Sequence, residues 1–174
     1  MKYFVKFFVV TFFLLFSTDV IAEQKIVVLD LTYVLNNSKA GKNAQDFLKK
    51  SYNNNLKKYA DMEKALKKEE QDLLTKKTVL SKEEYTKKTD ALRKKVIDFQ
   101  SQRRSAIDKI ATQRSNSRET LIQALDPILE AYIKEKNIAI IFDKKFALGG
   151  VPENDITTII TEKLNKTLPS LNLK

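Results

Sequence analysis

Three aspartates at the ends of predicted strands and turns are the residues that could best support catalysis. Asp30 and Asp143 each follow an apolar run, and Asp155 precedes the last predicted helix. Carboxylates in such places could bind a divalent cation or transfer protons, but they also commonly accept hydrogen bonds in turns and at helix starts. The chain has no Cys or His and no glycine-rich phosphate loop to accompany them. We therefore assign the aspartates turn and capping roles and predict no enzyme activity, no metal and no cofactor.

Cations concentrated in the middle of the chain are the second candidate site. Residues 76–95 hold eight Lys or Arg against three acids, which gives a local charge of +5. The functional interpretation is a tip that binds anionic surfaces, and the alternative is a solvated helical face that keeps the protein soluble. The eight cations are Lys76, Lys77, Lys82, Lys87, Lys88, Arg93, Lys94 and Lys95.

The beginning of the chain predicts export, and export decides what the overall charge of +10 means. Lys2 and Lys6 precede the apolar run Phe7–Phe16, and Val20-Ile21-Ala22 is an acceptable cleavage site. An uncleaved membrane anchor is the alternative, but the run is shorter than the span of about 20 residues that an anchor needs. Removing residues 1–22 leaves 152 residues with a charge of 30 − 21 = +9. Outside the inner membrane, we expect such a chain to meet anionic lipid, lipopolysaccharide and acidic polypeptides rather than nucleic acid.

A long helical segment positions these cations. Lys42 to Asp126 is a run of 85 residues without Gly or Pro, rich in residues that favour helices. A single helix of that length would extend about 125 Å. However, Ser81 and Glu84 form the signature of a helix start, in which each side chain accepts from the other residue's amide. We therefore predict two antiparallel helices that reverse direction near Lys77–Ser81.

A thin apolar stripe follows both predicted helices at spacings of mainly three, four or seven residues. One interpretation is that the stripe only holds the two helices together. The other is that part of it contacts a client protein, since Met and aromatic side chains adapt to varied partners. The client-binding candidates are Tyr59, Met62, Leu66, Leu73, Leu92, Val96 and Phe99.

The two ends of the chain predict a small body at the base of the hairpin. Lys25–Asp30 and Ile138–Phe142 are predicted strands, and Phe146–Leu148 is a third, short one. Pro127 should kink the descending helix or begin a new segment. Asp155 caps a last helix that turns Ile156, Ile159, Ile160 and Leu164 inward.

So small a sheet should be marginal alone, and we predict that it oligomerises through its strands. The strand residues concerned are Ile26, Val27, Val28, Leu29, Ile138, Ile140, Ile141 and Phe142.

The predicted fold class is α+β and mostly helical, with a small β-body and a long antiparallel helical hairpin. The predicted organisation is a cleaved signal peptide at 1–22, a body and oligomerisation domain from 23–50 and 118–174, and a hairpin tentacle at 51–117. The tip of the tentacle lies near residues 77–82.

The order and spacing of these elements resemble the Skp (OmpH-like) family of periplasmic chaperones. The resemblance includes Ser38-Lys39-Ala40-Gly41-Lys42-Asn43-Ala44, the turn at Leu80–Glu84, Ile138–Lys144 and Asp155-Ile156-Thr157. It extends over essentially the whole exported chain.

The resemblance implies a homotrimer whose strands form a small β-barrel, with three tentacles around a cavity. It also implies an ATP-independent holdase that binds unfolded outer-membrane β-barrel proteins and prevents their aggregation on the way to the outer membrane. The alternative function is a structural coiled-coil protein that spaces or tethers layers of the envelope.

Overall fold

The computed structural model describes residues 25–173, so the predicted signal peptide lies outside the described residues. The elements are β1 (Lys25–Leu29), α1 (Leu31–Asn37), α2 (Lys39–Thr75), α3 (Lys82–Lys136), β2 (Ile138–Asp143) and α4 (Thr157–Thr167). Two short 3-10 turns, Lys144–Phe146 and Pro152–Asn154, lie between β2 and α4. This confirms the predicted α+β, mostly helical fold with a long helical hairpin.

Helices α2 and α3 form the predicted antiparallel hairpin. Their 37 and 55 residues correspond to about 55 Å and about 80 Å of helix. The reversal lies where the sequence places it. The Ser81 hydroxyl accepts from the Glu84 amide at 3.2 Å, and the Glu84 carboxylate accepts from the Ser81 amide at 3.3 Å. This reciprocal cap satisfies amides that the first turn of α3 would otherwise leave unpaired.

A kink or the start of a new segment was expected at Pro127. Helix α3 continues through this residue, so no new segment begins there. A proline removes only one hydrogen bond of the helix. Leu125 and Tyr132, on either side of it, are buried in the same core and hold the helix together. The helix ends at Asn137, whose left-handed conformation (φ 50°) is a common helix terminator.

The body contains a parallel two-stranded sheet. Ile26 pairs with Ile140 and Val28 pairs with Phe142. A third strand was expected at Phe146–Leu148. That prediction is wrong, because Lys144–Phe146 is a 3-10 turn. Its physical cause is local: the Asp143 carboxylate accepts from the Lys145 amide at 3.1 Å and turns the chain away from the sheet.

The core lies between the sheet, the base of the hairpin and α4. It is formed by Val27, Leu29, Val34, Leu35, Ala40, Leu121, Leu125, Tyr132, Ile138, Ile156, Ile160 and Leu164. Ile159 was expected to face inward but is 43% exposed. The reason is helical geometry: Ile156, Ile160 and Leu164 are four residues apart and share one face, whereas Ile159 lies outside that row.

Gly41 allows α1 and α2 to approach closely. A Cβ atom added there would lie 1.9 Å from the carbonyl oxygen of Leu35 and 2.9 Å from the Ser38 hydroxyl. The Ser38 side chain caps α2 by accepting from the Gly41 amide at 3.1 Å. The sharp α1–α2 corner therefore depends on the absence of a side chain at position 41.

Among residues 25–173, no helix has both the length and the apolar character needed to cross a membrane.

Candidate functional site

Asp30 and Asp143 cap helical turns, whereas the cap predicted at Asp155 is wrong. The residue before α4 is Ile156, and Asp155 instead accepts from the Thr157 amide at 2.9 Å across a two-residue turn. Asp30 accepts from the Tyr33 amide at 2.7 Å and caps α1. Asp143 pairs with Lys145 at 2.8 Å, and the hydrogen bond from that ammonium lowers the pKa of Asp143. Partial burial raises the pKa of Asp155, but hydrogen bonds from Lys144 and Thr157 outweigh it, and the pKa lies below its ordinary value. Over the described part of the chain, no group of three acidic side chains is placed to hold a metal ion.

The predicted anion-binding tip lies at the protein surface. All eight of its cations are exposed. Two of them make ion pairs, Lys95 with Glu69 at 2.6 Å and Arg93 with Asp90 at 3.2 Å. The other six make no ion pair with any residue in 25–173. Beside them, Val79 is 81% exposed, an apolar contribution to the tip that was not predicted from the sequence.

The structure divides the seven client-binding candidates into two groups. Tyr59, Leu73, Leu92 and Phe99 are at most 9% exposed and lie between the helices. The rings of Tyr59 and Phe99 meet edge to face with centroids 6.0 Å apart, and the Tyr59 hydroxyl donates to the Gln102 carbonyl at 2.9 Å. These four side chains hold the hairpin closed.

Met62, Leu66 and Val96, the remaining candidates, are half-buried. They line open grooves along the hairpin. They are the members of the predicted set that an isolated chain leaves accessible to a partner.

The most exposed apolar side chains near the base of the hairpin were not among the candidates predicted from the sequence. Tyr52, Leu56 and Ile107 are 51%, 51% and 56% exposed. With Ile110 they line a groove of about 220 Å³, which we call the hairpin groove. Their apolar spacing was visible in the sequence, but nothing in it distinguished them from their buried neighbours.

A larger groove lies where the hairpin meets α1. It has a volume of about 590 Å³, and we call it the root groove. Leu35, Ala44, Leu48 and Leu121 contribute to its apolar lining. It shares Tyr52 and Ile110 with the hairpin groove, so the two form a continuous surface.

The predicted oligomerisation strands present one apolar face without a partner. Val27, Leu29 and Ile138 are buried in the core of the chain itself. Ile26, Ile140 and Phe142 are about half exposed, and the pairing of β1 with β2 places them on the opposite face of the sheet. The remaining two strand residues, Val28 and Ile141, are half-buried.

The comparisons with known proteins agree with this architecture. The family described as "Outer membrane protein (OmpH-like)" matches residues 25–164. A crystal structure of a proposed outer membrane chaperone (OmpH-like) from Caulobacter crescentus CB15 superposes with a TM-score of 0.80 at 16% identity. The match covers 88% of this chain and 90% of that one. No curated protein matches the sequence.

The family match extends over most of the chain and includes β1, the whole hairpin, β2 and the first eight residues of α4. The structural likeness, at so low an identity, adds that the fold is shared. The chain therefore belongs to the OmpH-like family, as the order of its sequence elements predicts.

Proposed function

We propose that this protein is an ATP-independent periplasmic holdase that binds unfolded outer-membrane proteins and prevents their aggregation. The observation that carries the proposal is the accessible apolar surface of a long basic hairpin, formed by Tyr52, Leu56 and Ile107 with the half-buried Met62, Leu66 and Val96. These side chains offer many small contacts rather than one deep pocket. Membership of the OmpH-like family supports a chaperone role in general.

Weak contacts of this kind suit a holdase. Each exposed apolar side chain contributes little, and a client can exchange among them without being locked in one conformation. Several such contacts on one enclosing surface reinforce one another through effective concentration. The proposal includes no catalysis and no cofactor.

The enclosing surface in this proposal comes from three copies of the chain. The half-exposed Ile26, Ile140 and Phe142 would be covered by the strands of other copies, with the body formed by 23–50 and 118–174 and the tentacle by 51–117. Burying apolar area of this kind is the main driving force of subunit association. The six unpaired cations of the tip would face lipopolysaccharide or an anionic membrane surface.

Light scattering tests the proposal directly. A urea-denatured outer-membrane β-barrel protein is diluted into buffer with and without the purified protein. We expect scattering to be suppressed at about three chains per client, as a trimer that holds one client requires. Aggregation at an unchanged rate would reject the holdase and favour the alternative of an envelope spacer or tether.

A further inference from the structure

The root groove differs in charge from three other grooves between α2 and α3. Lys49 of α2 and Arg114 and Arg118 of α3 line it, and none of its lining residues is acidic. By contrast, the hairpin groove includes both Glu63 and Arg103. The two grooves farther out also combine acids with bases. Of these four grooves, the root groove is the one whose charged lining residues are all of one sign.

The three cations of the root groove are available to a ligand. Lys49, Arg114 and Arg118 are exposed, and none of them makes an ion pair with another described residue. Arg114 and Arg118 are four residues apart, one helical turn, and so project from the same face of α3. Guanidinium groups bind carboxylates and phosphates through two parallel hydrogen bonds, so the pair suits an anionic ligand of either kind.

The shape of the surface favours a polypeptide over a compact ligand. From Gly41 to Glu63, the α2 side of the two joined grooves runs for about 33 Å, the length of about ten residues of extended chain. One end carries only cations, and the exposed apolar side chains of Tyr52, Leu56 and Ile107 lie toward the other end, where an acid and a base are both present.

We infer that the root groove and hairpin groove together bind one extended segment of a client, with acidic residues at Arg114 and Arg118 and apolar residues at Tyr52, Leu56 and Ile107. This inference rests on the proposed function and names the class of client segment that the holdase binds most tightly. Such a segment has an acidic stretch followed by apolar side chains. The contact occurs within one chain and needs no second copy.

Fluorescence anisotropy measures the binding. The probe is a fluorescein-labelled synthetic peptide with two glutamates followed by alternating phenylalanine and serine, and a second probe has lysines in place of the glutamates. The double variant Arg114→Gln, Arg118→Gln should bind the acidic probe about tenfold more weakly than the native protein does. The double variant should bind the lysine probe at least as tightly as the native protein does. Increasing salt should reduce the affinity for the acidic probe, since the contact is exposed to solvent.

Two matched controls separate the grooves from general charge and hydrophobicity. Arg104→Gln with Lys109→Gln removes the same charge from α3 at exposed positions outside the grooves, and should leave binding unchanged. Ile107→Ser should weaken binding of the acidic probe. Ile97→Ser should not, although Ile97 is equally exposed at 58% on the same helix.

Equal losses of probe affinity in the groove variants and the control variants would overturn the inference. So would a result in which dodecanoate displaces the acidic probe and the Arg114, Arg118 variant binds that probe as tightly as the native protein does. A change in molecular mass of that variant by light scattering would also overturn it, because the groove would then be an interface between copies. Suppression of client aggregation is measured on the same samples. If the native protein suppresses client aggregation but the peptide-binding results contradict the inference, the subsite is wrong and the holdase proposal stands. If the native protein does not suppress aggregation, both are rejected.

Discussion

Replacing Gly41 by Ala should destabilise the protein, although the same change in an ordinary helix is favourable. In an unconstrained helix interior, Ala is about 0.5–1 kcal/mol better than Gly. At position 41 the new Cβ would lie 1.9 Å from the Leu35 carbonyl oxygen, whereas real Cβ atoms essentially never approach closer than 3.0 Å. The obstructing atom belongs to the backbone, so α1 and α2 must move apart by about 3.0 − 1.9 = 1.1 Å.

Overpacking of this kind costs about 1–3 kcal/mol, and more where backbone has to shift. After the intrinsic gain from alanine, we expect a net loss of about 1–2 kcal/mol in the free energy of unfolding. For a chain of this size, each kcal/mol lowers the midpoint of thermal unfolding by about 2–4 °C. The Gly41→Ala variant should therefore melt about 2–8 °C below the native protein in far-ultraviolet circular dichroism.

Gly149→Ala is the matched control, since a Cβ at Gly149 meets no atom within 4 Å and its φ is not positive. It should leave the melting temperature unchanged or raise it slightly, because Ala reduces the freedom of the unfolded chain. If Gly41→Ala melted at or above the native temperature, the close approach of α1 and α2 would not constrain position 41. The α1–α2 corner would then tolerate a side chain, and the steric reasoning would be refuted.

Three further changes test the hairpin and the edge of the body. Ser81→Ala removes the cap of α3 and should cost about 1 kcal/mol, seen as faster hydrogen exchange of the tip amides. Tyr59→Phe removes the hydrogen bond to the Gln102 carbonyl, which should lower the free energy of unfolding in urea by about 0.5–1.5 kcal/mol. The pKa of Asp155 is lowered in the folded state, so its contribution to stability is present above the unfolded pKa of about 3.9 and is lost as pH falls below it. Asp155→Asn, which removes the charge that pairs with Lys144, should therefore flatten the decline in melting temperature between about pH 5 and pH 2.

Each of these has a result that contradicts it. Unchanged exchange at the tip of the Ser81 variant would mean that the reciprocal cap does not hold the turn. An unaltered urea midpoint for Tyr59→Phe would mean that water replaces the lost bond at no cost. Parallel pH profiles for the native protein and the Asp155 variant would show that the carboxylate titrates as it does in the unfolded chain.

The elements that depend on local interactions could be read from the sequence. Ser81 begins α3 where predicted, because capping involves only a few neighbouring residues, and Ser38 and Asn137 bound helices by equally local contacts. The long helices follow from a run of residues with high helix propensity and no breaker. Sequence reasoning failed at Phe146–Leu148, where an apolar run suggested a strand but a turn at Asp143 directs the chain away from any partner strand.

The candidate surfaces were only partly predictable for a related reason. Tyr52 and Tyr59 are one heptad apart in the same apolar stripe, yet Tyr52 is 51% exposed and Tyr59 is 8% exposed. The difference arises from the position of α3, where Phe99 covers the Tyr59 ring. The root groove likewise brings Lys49 of α2 near Arg114 and Arg118 of α3. These residues are distant in sequence and meet only because the hairpin reverses direction.

The sequence by itself thus determined the helices, their reversal, the basic tip and the family, because these depend on local propensity, spacing and order along the chain. Only the tertiary structure decided the parallel pairing of β1 with β2, the close corner at Gly41 and which apolar side chains remain accessible. Those features depend on contacts between residues distant in sequence, and such contacts form only once the packed elements fix their distances and orientations.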